Sequence, residues 1–214
     1  MENKVYFVTG IDTNIGKSYA TGYLASLWMS EGYKTITQKF IQTGNIGYSE
    51  DIDIHRKIMG IGYTIEDKER ITMPIILSYP CSPHLAAKID NYNIDLKQIS
   101  DATNILINRY ERVLIEGAGG LMVPIFENYY ILDYIVEKKY PLILVTSGKL
   151  GALSQTLLNF EVIKKYNIKL EMVIFNDYNE NKNDEFIKED NFNFIKKYIE
   201  RDFFITKLLR LPIL

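Results

Sequence analysis

The sequence predicts an α/β fold in which a doubly wound, mostly parallel sheet lies between two layers of helices. Short apolar runs rich in β-branched residues alternate with segments of helix length, which is typical of buried parallel strands joined by helices. A glycine-containing loop joins the first run to the first helical segment, at the edge where such sheets bind ligands. The chain has 214 residues, of which 47% are hydrophobic. This is enough for one two-sided core, so we predict a single domain over residues 1–214.

Five apolar runs are the predicted strands, and the longer segments between and after them are the predicted helices. The strands are residues 5–9, 35–40, 112–116, 142–146 and 171–175. The helices are residues 17–30, 51–59, 96–110, 132–138, 153–165 and 186–199. Because ligands bind beyond the carboxyl ends of parallel strands, the residues that follow each run are the first candidates for a site.

Composition excludes several classes of protein. The net charge is −2, from 25 basic and 27 acidic residues that are dispersed along the chain, so we expect no nucleic-acid partner. No apolar stretch approaches the roughly 18 to 20 residues that span a bilayer, and no signal peptide is recognisable, so we expect no membrane association. Cys81 is the single cysteine, which excludes an intrachain disulfide and favours a cytoplasmic location.

The loop of residues 10–18 reads Gly-Ile-Asp-Thr-Asn-Ile-Gly-Lys-Ser and matches a P-loop between a strand and a helix. Gly16 allows backbone N–H groups to approach phosphate oxygens, and the positive end of the following helix adds to this site. Lys17 is predicted to reach the β- and γ-phosphates, and Ser18 to offer its hydroxyl to Mg²⁺. The alternative is a glycine-rich turn with a surface lysine. We favour an ATP-hydrolysing enzyme of the P-loop class.

Glu116 ends the predicted strand 112–116, where P-loop ATPases hold the carboxylate that orients Mg²⁺. The glycine-rich segment 117–120 follows and allows close backbone approach to phosphates or substrate. A flexible connection between strand and helix is the alternative interpretation. Glu116 is therefore predicted to be a second residue of the metal site.

Together these two motifs resemble the dethiobiotin synthase family, whose P-loop has five residues between its glycines, as here between Gly10 and Gly16. Further matching segments occur in the same order over nearly the whole chain, at residues 39–44, 82–84, 149–151 and 176–177. The resemblance implies a cyclo-ligase of biotin biosynthesis that depends on ATP and Mg²⁺. In this reaction 7,8-diaminopelargonate (7,8-diaminononanoate) is carboxylated by CO₂ to a carbamate, and ATP phosphorylates the carbamate to a carbamic-phosphoric anhydride. The second amine then closes the ring to give dethiobiotin, ADP and phosphate.

The resemblance also implies site residues. Lys39 and Lys17 are the expected catalytic residues, and Lys39 taken alone would be interpreted as a surface lysine. Proline usually follows this lysine in the family, whereas this chain has Phe40, so we expect a less restrained backbone at Lys39. The expected metal ligands are Ser18, Asp51 and Glu116. Asp53 is the second candidate if Asp51 is not the ligand. The alternative explanation for both residues is that acidic side chains are favoured in the first turn of any helix by its dipole. Ser49 is predicted to be the N-cap of this helix.

For the substrate, the resemblance implies contacts to Thr43, Ser82, Pro83, Gly151 and Ser154. Thr43 as a turn residue is the alternative. His84 is expected to have a structural or substrate-contact role rather than that of a general base. The helix that follows Lys149 is expected to receive the carboxylate tail of the substrate across the interface of a homodimer.

For the nucleotide, the resemblance and the P-loop together imply a larger set. Asn176 is expected to recognise the edge of adenine, although Asn-Asp is also a common turn pair. The sequence ends at Leu214, where the family usually continues, so we expect a more open adenine pocket. The whole predicted set is Thr13, Asn14, Ile15, Gly16, Lys17, Ser18, Asp51, Glu116, Gly117, Ala118, Gly119, Asn176, Asp177, Leu211, Pro212 and Ile213.

Two classes of alternative to this enzyme remain open, the first being another ATPase of the same group. A related P-loop switch ATPase would generally carry a second lysine early in the loop, and residues 11–14 contain none. An amidotransferase-linked relative would need a glutaminase domain, for which 214 residues leave no room. A nucleotide-binding module without turnover is the second alternative, because a P-loop can serve folding or regulation alone.

Overall fold

The computed structural model describes residues 4–177 and 185–212. Its centre is a six-stranded sheet with the strand order β10-β9-β8-β1-β5-β2, in which every neighbouring pair is parallel. The six strands are β1 Lys4–Gly10, β2 Thr35–Lys39, β5 Arg112–Glu116, β8 Leu142–Ser147, β9 Leu170–Asn176 and β10 Lys207–Leu211. The chain winds first to one side of β1 and then to the other, so the prediction of a doubly wound parallel sheet is confirmed.

Helices flank this sheet, and two small two-stranded sheets lie outside it. The helices are α1 Lys17–Ser30, α2 Glu50–Met59, α3 Ile65–Lys68, α4 Pro83–Ile89, α5 Leu96–Arg109, α6 Ile131–Lys138, α7 Ala152–Lys165 and α8 Glu185–Asp202. The small sheets pair β3 Gln42–Thr43 with β4 Ile76–Leu77, and β6 Pro124–Phe126 with β7 Tyr129–Tyr130. No helix within the described ranges is long and apolar enough to cross a membrane.

The central strands are buried on both faces of the sheet. Every residue of β2 and β8 is buried, as helices on either side of the sheet require. Three aromatic rings join the sheet to its flanking layer: Phe40 lies 5.4 Å from the Phe7 centroid and 4.8 Å from that of Tyr134. The core therefore fixes the positions of the strand ends at which the candidate site lies.

All five predicted strands are present, with ends that differ by a few residues. The sixth strand, β10, was not predicted from the sequence. Its residues read Lys-Leu-Leu-Arg-Leu, and only Leu211 among them is buried, because this strand forms the edge of the sheet. An edge strand lacks the continuous apolar run by which buried parallel strands are recognised.

The sheet register brings distant segments together at one edge. Glu116, the last residue of β5, lies opposite Val8 of β1 on one side and opposite Lys39 of β2 on the other. The loop that follows β1 continues directly into α1. The ends of three neighbouring strands therefore converge around the P-loop.

Candidate active site

A residue at the end of β9, Asn176, contacts the P-loop. Gly16 has a φ of +92°, which favours glycine, and a Cβ atom on it would lie 2.4 Å from Nδ2 of Asn176. The same Nδ2 donates a hydrogen bond of 3.0 Å to the carbonyl of Ile15. Gly16 is thus required both by its backbone conformation and by its close approach to Asn176. Asn176 holds the loop, and its recognition of adenine stays a prediction.

Lys17 is buried within the loop that it follows. Its Nζ donates a 2.8 Å hydrogen bond to the backbone carbonyl of Asp12, so the ammonium lies inside the curve of the P-loop. Burial lowers the pKa of Lys17, while the charge of Glu116 acts in the opposite direction. This placement agrees with the predicted contact of Lys17 with phosphates.

The predicted metal ligands converge on one point. The hydroxyl of Ser18 lies 2.5 Å from Oδ1 of Asp51 and 3.1 Å from Oε1 of Glu116. The ammonium of Lys39 lies between the same two carboxylates, 2.5 Å from Oδ2 of Asp51 and 2.8 Å from Oε1 of Glu116. The carbonyl of Gly117 accepts a further hydrogen bond of 3.2 Å from Lys39. Four residues from four separate elements thus form one charged cluster.

The charges of this cluster stabilise one another in a buried environment. Burial alone would raise the pKa of Glu116, but the charge of Lys39 and a hydrogen bond from His55 outweigh it and hold the pKa far below its usual range. Burial would also lower the pKa of Lys39, but the charges of Glu116 and Asp51 outweigh it and raise the pKa. Both side chains are therefore charged near neutral pH.

The backbone around Lys39 is held by hydrogen bonds. Its N–H donates to the carbonyl of Thr72 at 2.7 Å, and the N–H of Phe40 donates to the carbonyl of Glu116 at 2.8 Å. Phe40 itself is fully buried. The expectation that the lack of proline leaves Lys39 less restrained stays a prediction, but Phe40 contributes an N–H bond that proline cannot make.

Asp51 and Asp53 face different surroundings although both lie in the first turn of α2. Asp51 contacts Ser18 and Lys39, whereas the carboxylate of Asp53 accepts a short hydrogen bond from the hydroxyl of Tyr63. The geometry favours Asp51 as the metal-site residue. Ser49 accepts a hydrogen bond from the N–H of Ile52 at 3.2 Å, so the predicted N-cap is confirmed.

A cavity of about 720 Å³ joins the P-loop to the predicted substrate residues. Thr43, Ser82 and Pro83 form part of its wall, and Lys39 and the P-loop residues line the same cavity. Several residues that were not among the predicted site residues also line it, including Tyr19, Ile41, Gln42, Glu50, Ile54, Pro80, Cys81 and Val123. The cavity is therefore large enough to bring a nucleotide phosphate and a second small molecule together.

Other predicted residues lie elsewhere in the structure. Gly151 and Ser154 line a separate cavity of about 530 Å³ with apolar residues of α7, including Leu157. His84 is exposed and lines a third cavity, beside Lys88 and Phe126. The single chain thus does not bring Gly151, Ser154 or His84 to the cavity that contains Lys39.

The residues predicted around adenine lie at the ends of β9 and β10 or directly after them in the sequence. Leu211 is buried and lies opposite Asn176 in the sheet register, and Pro212 is exposed. Burial raises the pKa of Asp177, whose carboxylate lies 3.8 Å from Arg210. Ile213 lies outside the described residues. Recognition of the base at this edge stays a prediction.

Sequence reasoning missed one residue that contacts the cluster, His55. Its ring is fully buried on α2, and Nε2 lies 2.6 Å from Oε2 of Glu116. The available signal was its spacing, because His55 follows Asp51 by four residues and so shares its helix face. A histidine at that spacing from a predicted ligand points to the same site.

The donor set fits a magnesium ion. Ser18, Asp51 and Glu116 offer only oxygen atoms, the ligand type that this cation prefers, and Mg²⁺ usually takes one or two carboxylates with phosphate oxygens and water. A cationic group, the Lys39 ammonium, already lies between the two carboxylates. Across residues 4–177 and 185–212, no cluster of three or more His, Cys, Asp or Glu side chains suggests a different kind of metal site.

Solved structures with similar folds are P-loop proteins. The chain matches a ParA family ATPase from Chlorobium tepidum with a TM-score of 0.54 at 17% identity, over 99% of this chain and 86% of that one. It matches the cell division protein FtsY from Thermotoga maritima with a TM-score of 0.56 at 17% identity, over 96% and 60% of the two chains. At this identity the likeness shows the fold alone, which is that of P-loop NTPases.

Sequence comparisons are more specific. The family described as "AAA domain" matches residues 4–213. The chain is 48% identical to ATP-dependent dethiobiotin synthetase BioD 2 of Pasteurella multocida, over 92% of each chain. It is 50% identical to the protein of the same name from Haemophilus influenzae, over 83% of this chain and 93% of that one. A relative from Chlorobaculum tepidum, ATP-dependent dethiobiotin synthetase BioD, is 41% identical over 83% and 74%.

The order of the site motifs and these identities over most of the chain indicate the same family. The chain belongs to the family of ATP-dependent dethiobiotin synthetases.

Proposed function

We propose that this chain is an ATP- and Mg²⁺-dependent cyclo-ligase that converts 7,8-diaminopelargonate and CO₂ to dethiobiotin, with release of ADP and phosphate. The observation that carries the proposal is the position of Lys39. Its ammonium lies in the charged cluster beside the P-loop serine, and the same cavity is lined by Thr43 and Ser82. One lysine therefore faces both the predicted phosphate site and the predicted substrate groove.

The nucleotide is expected to bind with its phosphates in the P-loop. Backbone N–H groups around Gly16 and the N-terminus of α1 would bind the phosphate oxygens, and Lys17 would neutralise charge on the β- and γ-phosphates. The buried position of Lys17 on the carbonyl of Asp12 supports this role, because the ammonium is held within the loop. Burial also strengthens its interaction with an anion.

In the proposed reaction one amine of the substrate is bound as its carbamate. A carbamate oxygen attacks the γ-phosphorus of ATP, the bond to the β-phosphate oxygen breaks, and ADP leaves. The second amine then attacks the carbonyl carbon of the mixed anhydride and displaces phosphate, which closes the cyclic urea; the amine protons pass to phosphate or water. We propose that Lys39 holds the carbamate and the transferring phosphoryl group together through its charge.

We propose that Mg²⁺ is held by Ser18, Asp51 and Glu116. When bound, it supplies a compact positive charge that offsets the negative charge on the phosphate oxygens. The short contacts of the Ser18 hydroxyl with both carboxylates support this ligand set. Asp53 is assigned no ligand role, since its carboxylate is hydrogen-bonded to Tyr63.

We further propose that the active unit is a homodimer formed by single-domain chains in the cytoplasm. Leu150 and Leu158 are 88% and 65% exposed at the second cavity, beside Gly151 and Ser154. Exposed leucines around a predicted substrate residue are consistent with a second copy that covers them. Through that interface α7 of one protomer would supply the pocket for the carboxylate tail of a substrate bound to its partner.

The proposal is tested by the dependence of ADP release on the diamine. We expect release to require bicarbonate and 7,8-diaminopelargonate together. A monoamine analogue lacking one of the two amines is the matched control for ring closure, because its carbamate can be phosphorylated with release of ADP but no cyclic urea can form. ATP turnover at the same rate with no diamine present would instead support a switch ATPase, and binding of ATP without turnover a regulatory module.

A further inference from the structure

A buried histidine contacts the side of Glu116 that faces away from the charged cluster. Oε1 of Glu116 contacts Ser18 and Lys39, while Oε2 lies 2.6 Å from Nε2 of His55. Both side chains are almost wholly buried, with relative exposures of 0% and 1%. The proposed reaction assigns no role to His55. Its contact nevertheless gives a hydrogen-bond partner to the second oxygen of a carboxylate that is buried at the candidate metal site.

His55 is itself held by a chain of buried polar groups. Its Nδ1 lies 3.0 Å from the hydroxyl oxygen of Thr37, on the neighbouring strand β2. That oxygen accepts a hydrogen bond of 2.7 Å from Nη1 of Arg56. Arg56 in turn makes a bidentate pair with Asp67, in which both distances are 2.8 Å. The chain therefore runs from Asp67 through Arg56, Thr37 and His55 to Glu116.

The direction of these hydrogen bonds determines which ring nitrogen of His55 carries the proton. A threonine hydroxyl has one hydrogen, and arginine only donates. Within the described part of the chain, Thr37 Oγ1 has two side-chain partners, Arg56 and His55. Its oxygen could accept from both, so the direction follows from Glu116, whose charged carboxylate only accepts hydrogen bonds. Nε2–H is therefore the donor to Glu116, and in a neutral ring Nδ1 accepts the hydrogen of Thr37.

We infer that His55 is a positioning residue for the ATP-dependent reaction: its Nε2–H fixes the carboxylate of Glu116 so that Oε1 faces Ser18 and Lys39. Without this donor the carboxylate would be held through Oε1 alone, and the buried Oε2 would lose its hydrogen-bond partner. Partners of this kind behind a metal ligand typically affect affinity or activity by about 10- to 100-fold. The effect on turnover rests on the proposed function, whereas the effect on hydrogen bonding does not.

The tautomer can be measured without any ligand. The chain has two histidines, so nitrogen-15 labelling of histidine gives the signals of His55 and His84 alone, and His84→Gln assigns them. We expect His55 to be protonated at Nε2 and unprotonated at Nδ1, with a slowly exchanging Nε2 proton. Protonation at Nδ1 alone, or an Nε2 proton that exchanges as fast as that of exposed His84, would overturn the inference.

A matched pair of variants tests the consequence. His55→Gln keeps an N–H donor at nearly the same reach, whereas His55→Leu keeps most of the volume and removes the donor. Calorimetric titration of ATP at several Mg²⁺ concentrations should show a Mg²⁺ requirement raised about tenfold or more in the leucine variant, and within about threefold of wild type in the glutamine variant. Equal requirements in the two variants would contradict a positioning role, and the wild-type tautomer decides the matter if either variant fails to fold.

Because the ATP titration measures binding, this inference and the proposed reaction can each fail without the other. A protein that binds ATP with Mg²⁺ but never forms dethiobiotin would refute the proposed function. The comparison of the glutamine and leucine variants would still test the role of His55, because it is measured by binding.

Discussion

Lys39 and Glu116 are paired in the register of two neighbouring strands, and their side chains are also in contact. They are opposite each other in the register of β2 and β5, and their side chains form a buried ion pair of 2.8 Å. The two residues are 77 positions apart in the sequence, so the parallel sheet creates their contact. Strand register therefore places the predicted catalytic lysine beside a predicted metal ligand.

Loss of the Lys39 charge should impair turnover far more than nucleotide binding. For Lys39→Ala we expect the rate of dethiobiotin formation to fall by about 10²-fold or more, because charge stabilisation of this kind acts mainly in the transition state. Single-turnover assays at saturating ATP measure this rate. Lys57→Ala is the control, since Lys57 is exposed on the same helix as Asp51. A Lys39→Ala variant with more than half of the wild-type rate would remove this lysine from the reaction.

The two carboxylates of the cluster should differ from Asp53 in their effect on the requirement for Mg²⁺. Asp51→Asn and Glu116→Gln should each raise the Mg²⁺ concentration needed for half-maximal turnover, because a neutral amide is a poorer ligand for a hard cation. Asp53→Asn is the matched control and should leave this concentration unchanged. If Asp53→Asn alone raised it, the assignment of the ligands would be reversed.

Gly16 and Gly32 offer a matched test of the contact between the P-loop and Asn176. Their φ values are +92° and +91°, but a Cβ on Gly16 would meet Asn176 at 2.4 Å. A Cβ on Gly32 would have no atom within 4 Å among the described residues, apart from its chain neighbours. Alanine at either position should cost about 1 to 2 kcal/mol of stability through left-handed strain. Only Gly16→Ala should also weaken ATP binding. Equal ATP affinities in the two variants would show that this contact does not shape the loop.

The buried pair of Arg56 and Asp67 should contribute stability that depends on pH. Burial by itself raises the pKa of Asp67, but the hydrogen bonds and charge of Arg56 outweigh it and hold the pKa below its usual range. A carboxyl with a depressed folded-state pKa stabilises the fold above its unfolded pKa of about 3.9, and this contribution is lost as the pH falls toward the folded value. Near pH 7 we therefore expect Asp67→Asn to lower the free energy of unfolding by about 3 kcal/mol.

Urea unfolding of wild type and Asp67→Asn between pH 7 and pH 3 measures this contribution. The difference in unfolding free energy between the two proteins should shrink below about pH 4, as the wild-type carboxyl is protonated. Asp101→Asn is the control, because Asp101 is half exposed in its ion pair with Lys97 and should have no measurable effect. A difference that stayed constant over the whole pH range would show that the charge of Asp67 contributes nothing.

The sequence was sufficient to predict the fold class and the elements that have a local pattern. The P-loop combines a glycine motif with a strand and a helix on either side, and the five predicted strands are rich in apolar or β-branched residues. Strand β10 was missed because an exposed edge strand tolerates Lys207 and Arg210. The order of the strands, and with it the contact between Lys39 and Glu116, depends on pairing between distant segments, which no local pattern encodes.

The site was predicted where a motif marks it and missed where packing alone creates it. Ser18, Asp51 and Glu116 each follow a recognisable motif. His55 and Thr37 carry no motif, and their roles arise because α2 packs against the end of β2. Gly151 and Ser154 were predicted to contact the substrate, yet they line a separate cavity of the single chain. A resemblance to a family predicts which residues take part in the site. The structure of a single chain does not show which residues a second copy would contribute to it.

Incorporation of labelled bicarbonate into the product tests the proposed ring closure. The purified chain is incubated with ATP, Mg²⁺, 7,8-diaminopelargonate and carbon-13 bicarbonate, and the products are analysed by mass spectrometry together with the yield of ADP. We expect dethiobiotin that carries the label in its urea carbon, with one ADP formed for each molecule of product, and no labelled product from Lys39→Ala on the same timescale. ADP formed without labelled dethiobiotin, or at a rate that does not respond to the diamine, would contradict the assignment of this chain as a cyclo-ligase.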